Sequence, residues 1–173
     1  MNYDRKPVCS RIYLVAYLSL VYLLSVSCGK NNDPNSRPVT EFVLQAGGKV
    51  IPVHSDLPID SKAKIPESSF AIREIDLTDA NIKMSDLKQL SNLPYLESLN
   101  LHRTNLTNKG LAQIMDLPKL RSLELAYTRV SDEEVSKLTR FPRLKKIFLY
   151  GTAVKPQTIE DLKSNLRGCV IYK

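Results

Sequence analysis

Residues 93–106 read LPYLESLNLHRTNL, and the same frame returns as LPKLRSLELAYTRV at residues 117–130 and as FPRLKKIFLYGTAV at residues 141–154. Each copy starts 24 residues after the one before it. A fainter copy, SFAIREIDLTDANI, fills residues 69–82, one step earlier. Self-similarity at a short fixed period is the mark of a solenoid, in which a unit buries its apolar face only against its neighbours.

Within one unit the physics is local. Leu99 and Leu101 alternate with Ser98, Asn100 and His102, the period of two that belongs to a half-buried strand. The equivalents are Ile75 and Leu77, Leu123 and Leu125, Ile147 and Leu149. Four such strands, each reached by a crossover, predict a parallel ladder. The crossovers read as short helices, because Leu87/Leu90, Leu111/Ile114, Val135/Leu138 and Ile159/Leu162 are i, i+3 pairs on otherwise polar segments. Ser131 followed by Glu134 fits a capping box, Thr107 an N-cap, and Pro156 a first helical position. Thr104, Thr128 and Thr152 recur after the strands and are expected to satisfy backbone groups of neighbouring turns.

The frame LxxLxLxxTx[LV], closed by a short helix at 24 residues, resembles the leucine-rich repeat family, and more narrowly the bacterial repeats with Thr where many relatives carry Asn or Cys. The resemblance covers residues 69–164 and implies an α/β solenoid: a short parallel sheet on one face, short helices on the other, about four repeats and terminal caps. It also implies a non-catalytic scaffold that binds proteins or peptides, with the ligand left open.

The beginning of the chain has another character. Arg5, Lys6 and Arg11 precede an apolar run over residues 12–24, and Ser25 and Ser27 flank Val26 before Cys28. This is the layout of a bacterial export signal over residues 1–27, and the apolar run over residues 12–24 is too short for a membrane span of about 20 residues. Cys28 resembles the lipidated first residue of a bacterial lipoprotein, although Ser25 stands where that pattern has Leu. The resemblance implies an acyl anchor such as palmitate, with cleavage without lipid or an uncleaved anchor as the alternatives. Gly29 after Cys28 is similar to lipoproteins sent to the outer membrane or cell surface rather than kept at the inner membrane. Loss of the leader takes the net charge from +7 to +5 by removing Arg5, Lys6, Arg11 and Asp4. Cys9 would leave with it and Cys28 would carry lipid, so Cys169 stands alone and no disulfide is expected.

Residues 28–40, rich in Asn, Pro and Ser, read as a flexible spacer. Residues 41–68 resemble an N-terminal cap, with a helical turn at 41–46, a strand at 49–53 and a loop beyond, placed to cover the first repeat's sheet edge. Residues 165–173 read as a closing strand with Cys169 and Ile171 turned inward.

Outward strand positions form columns once the repeats stack. One column reads Asp76, Asn100, Glu124, Phe148, and the next Thr78, His102, Ala126, Tyr150. Asp79, Arg103, Tyr127 and Gly151 lie just beyond. Four strands make a surface only about 14 Å across, suited to a peptide, loop or single helix. Phe148 and Tyr150 are the candidate anchors, joined by Asp76, Asn100, His102, Glu124 and Tyr127. The competing expectation is that the closing strand covers the aromatics. A second patch gathers Lys119, Arg121, Arg143, Lys145 and Lys146 ahead of the strands, and could meet anionic headgroups or an acidic partner, or simply be a solvated flank.

His102 is placed to approach Glu124 or Asp76, but no Ser or Cys nucleophile accompanies it, so an enzyme is not expected. Two histidines without a Cys cluster support no metal site, and no Gly-rich phosphate loop or other cofactor motif is present. Export and the interspersed acids disfavour nucleic acid. Together these residues predict a lipid-anchored binding module of a bacterial envelope. The alternative is a structural envelope component that contacts cell-wall material, lipid headgroups or its own copies through the basic flank.

Overall fold

The computed structural model describes residues 32–173. The expected leader at 1–27, Cys28 and the first residues of the expected spacer lie outside the described residues.

Six strands form one sheet in chain order: β1 (Lys49–Pro52), β2 (Ile72–Asp76), β3 (Ser98–Asn100), β4 (Ser122–Glu124), β5 (Lys146–Phe148) and β6 (Val170–Tyr172). From β2 onward every pair is parallel, and Ile75, Leu99, Leu123, Ile147 and Ile171 align in register across it. A step of 24 residues along the chain is therefore one step sideways in the sheet. β1 pairs antiparallel with β2, Val50 opposite Ile75, and occupies the edge that the first parallel strand would otherwise expose. The sheet is six strands wide, because the strands expected in the two flanking segments pair onto the four repeat strands, so the face is broader than the four strands alone would make it.

Crossovers return the chain between the parallel strands. They are a 3-10 segment at Met84–Leu90, α2 (Asn108–Leu111), α3 (Asp132–Val135) running into a 3-10 turn at Ser136–Arg140, and α4 (Pro156–Asn165). The four apolar pairs expected to face inward are all buried: Leu87/Leu90, Leu111/Ile114, Val135/Leu138 and Ile159/Leu162. Pro156 opens α4, where its missing N–H costs nothing. One apolar cluster runs without interruption from Val39 to Cys169. Burying a leucine stabilises by roughly 1.5–3 kcal/mol, and among the described residues most leucines are buried in this cluster.

Several local expectations are corrected. α1 (Ser36–Gln45) begins inside the stretch expected to be spacer. Val39 and Val43 are one helical turn apart and pack into the core, while the Asp33 carboxylate accepts hydrogen bonds from the Asn35 N–H and the Ser36 hydroxyl. Pro38 is tolerated because the first-turn N–H groups of a helix have no intrahelical partner. The hydroxyls of Thr104, Thr128 and Thr152 serve their own turn, donating to the carbonyls of Leu101, Leu125 and Leu149. The side-chain stitching between turns comes instead from amides, a carboxylate and the Ser91 hydroxyl, which donates to the Gln113 carbonyl and accepts from the Met115 N–H. Asn105 bonds both the N–H and the carbonyl of Ile82, Asn108 bonds the N–H and hydroxyl of Ser131, and Asp132 accepts from the Lys155 N–H and the Thr158 hydroxyl. With Ser131 held by Asn108, no capping box forms, and Thr107 occupies its N-cap without a side-chain cap bond. Glu134 turns into the protein to meet Arg140 at 2.6 Å and Lys137 at 3.0 Å.

Candidate functional site: the outward sheet face and its aromatic end

Register places Asp76, Asn100, Glu124, Phe148 and Tyr172 side by side on neighbouring strands. The first three share a role that sequence reasoning missed. Each side chain accepts a hydrogen bond from the N–H two residues on: Asp76 from Thr78 at 3.0 Å, Asn100 from His102 at 2.9 Å, Glu124 from Ala126 at 2.8 Å. These bonds end the strands and start the turns. Their signal was an oxygen-bearing side chain recurring at 24 residues just after the second apolar framework position. Burial pushes the Asp76 carboxyl up, but the Thr78 hydroxyl and N–H and the Lys49 ammonium at 3.3 Å outweigh it and hold the group below the ordinary aspartate value. The polar half of the expected contact set is thus already engaged with its own backbone.

Beyond the strands the chain turns through a left-handed residue in every parallel unit: Asp79, Arg103, Tyr127 and Gly151. The last is a glycine for a visible reason. A Cβ at Gly151 would stand 2.6 Å from Cδ1 of Tyr127, whose ring lies across that turn. Tyr127 also receives His102 edge-on, ring centres 5.4 Å apart, and His102 Nδ1 lies 3.8 Å from Glu124 Oε1. Ala126, expected to face outward, is buried.

Phe148 and Tyr172 stack with centroids 4.6 Å apart and planes 7° from parallel. β6 therefore lies beside Phe148 and extends the aromatic column. It covers one face of the half-buried Phe148 and leaves the tyrosines open: Tyr150 keeps 46% of its surface exposed and Tyr127 60%. Tyr172 was legible as the residue 24 beyond Phe148, had the closing strand been given the same period. At its far end, Lys173 donates to the carbonyls of Thr152 and Val154.

The basic flank stands ahead of the strands. The Arg121 N–H donates to the Glu97 carbonyl, Lys145 to Arg121 and Val170 to Lys145, so these residues are lateral neighbours. Arg121, Arg143, Lys145 and Lys146 are exposed, and Lys119 lies over the Tyr95 ring at 4.3 Å. Among the described residues none of these five has an acidic partner within 4.0 Å, while Arg73, Arg103 and Arg140 do. Cys169 is buried, and burial raises its thiol pKa against the opposing pull of Lys145. Among the described residues no three His, Cys, Asp or Glu side chains gather as metal ligands.

This geometry defines a repeat-built scaffold that presents the outer face of a largely parallel sheet. The family model described as leucine rich repeat matches residues 71–130, and that stretch of the chain, from the start of β2 through β4, is leucine-rich repeat. β5 and β6 continue its register beyond the match. Leucine-rich repeats are in general non-catalytic scaffolds that bind proteins or peptides. No curated protein matches the chain.

Proposed function

We propose that this protein is a binding module tethered to a bacterial envelope by a lipid at Cys28, with four capped repeats forming a short solenoid. Phe148, Tyr150 and Tyr127, with Tyr172 behind Phe148, are the anchors for a protein or peptide. The observation that carries the reading is the exposed aromatic end of the sheet face. Two exposed tyrosines and a stacked Phe–Tyr pair form a rigid platform of large contact area, and aromatic anchors dominate interface energetics. Asp76, Asn100 and Glu124 contribute mainly by holding the strand ends that position it, and His102 by its edge-on contact with Tyr127.

The test pairs wild type with a Phe148→Ala, Tyr150→Ala double variant in crosslinking from intact bacteria. A specific partner crosslinked by wild type is expected to be lost from the double variant while its circular dichroism stays native and it still unfolds cooperatively, with a thermal midpoint lowered only by the lost Phe148–Tyr172 stack. Equal recovery of that partner would move the site off the aromatic end. Intact mass beside a Cys28→Ser variant tests the tether: added acyl mass that vanishes in the variant is expected, and an unmodified wild-type chain overturns it.

A further inference from the structure

The repeats carry a second surface that the sheet face does not use. Pro94, Pro118 and Pro142 recur at the 24-residue step, each just after a buried framework residue and each exposed. With Met115, which is 52% exposed, they line an open groove of about 600 Å³ that also takes in Asn92, Leu117 and Arg140. Its one acid is Asp116. Immediately beyond the prolines come Tyr95, Lys119 and Arg143, followed after one residue by Glu97, Arg121 and Lys145. The apolar row is thus bordered, in its later units, by the cations that lack acidic partners.

We infer that this face rests on an anionic lipid bilayer. Two observations select that occupant. One is position: the Asn35 side chain donates to the Asn92 carbonyl, and Asn92 lines the groove, so the described chain starts beside this surface. Cys28 is five residues before Asp33, whose N–H is bonded to the Phe70 carbonyl, and five residues reach at most about 17 Å. A lipid at Cys28 therefore keeps this side of the domain within reach of headgroups. The other is chemistry: a shallow apolar row bordered by Lys and Arg matches a surface whose outer layer is negative and whose next layer is apolar. Three of the exposed positions are proline, which offers no N–H for a protein partner to pair with. The inference rests on the proposed tether.

The chain contains no tryptophan, so a single introduced one reports its own surroundings. Met115→Trp places it on the groove, ahead of β4, and Tyr127→Trp places it beyond the far end of that strand. Both full chains, purified from a bacterium, are reconstituted in phosphatidylglycerol-containing vesicles with brominated lipid, and intact mass is read on the same samples. Quenching is expected to be several-fold stronger for Met115→Trp than for Tyr127→Trp, and to fall in Met115→Trp chains that also carry Lys119→Glu and Arg143→Glu. Equal quenching on acylated protein overturns the bilayer contact and leaves the tether standing. Protection of Met115→Trp from aqueous quencher without quenching by lipid also overturns it, in favour of a protein cover. Absence of acyl mass overturns the tether, and lipid quenching that persists in that sample sustains the contact on its own.

Discussion

Glu134 has only 4% of its side chain exposed, and Arg140 reaches it from six residues on while donating a second bond to the Leu111 carbonyl at the end of α2. Arg140 also lies over the Phe141 ring, so one guanidinium ties a crossover to the preceding turn. Glu134→Ala is expected to cost about 2–3 kcal/mol in urea unfolding, because charge-assisted bonds are lost and Arg140 stays half-covered without its partner. Lys137→Ala is expected to cost only about 0–1 kcal/mol, since that lysine is largely exposed. Equal losses would show that the Arg140 link carries nothing. Asp76 supplies a pH dependence of known sign. Its folded-state pKa is lowered below the ordinary 3.8, so its contribution is whole above that value and fades as pH falls below it. The stability gap between wild type and Asp76→Asn should be constant, at about 0.5–1 kcal/mol, above that value and close in more acidic solution. A gap that stays open in acid would exclude the carboxylate as its source.

The strand and its turn are the unit on which the face depends. β3 and β4 end where Asn100 and Glu124 capture the N–H two positions on, and a left-handed residue, Arg103 or Tyr127, then redirects the chain. Arg103 and Tyr127 tolerate that conformation as non-glycine residues, whereas Gly151 has both positive φ and a tyrosine ring where a Cβ would go. Gly151→Ala is therefore expected to cost about 1–2 kcal/mol and to displace Tyr127. In a Tyr127→Ala background the same substitution should cost less, because the steric part is gone and only backbone strain remains. A double-mutant cycle with no coupling would show that the ring does not press on this turn. The strand positions were legible because alternation and the 24-residue period are properties of the sequence itself. The turn bonds were not. Asp, Asn and Glu share an acceptor oxygen but no pattern that separates a residue serving its own backbone from one waiting for a ligand.

At the scale of the molecule, stability belongs to the stack. The apolar cluster joins Val43 of α1, the framework leucines and Leu162 of α4. Leu162→Ala should cost about 2–5 kcal/mol. Because the core is continuous, it should reduce amide exchange protection at Val50 as well as at Ile147. Loss confined to Ile147 would mean that the N-terminal cap is an independent unit. The period, the strand positions, the inward leucines and the column from Asp76 to Phe148 were determined by the sequence alone, because a repeat converts linear spacing into lateral register, whereas the next column lost Ala126 to the interior. The tertiary structure decided what spacing cannot encode: that α1 starts at Ser36, that Asn105, Asn108 and Asp132 bind the turns together while the threonines serve their own, and that β6 leaves Tyr150 exposed. Those outcomes depend on which of several equally placed polar groups and edges comes within bonding distance, and only the folded chain sets those distances.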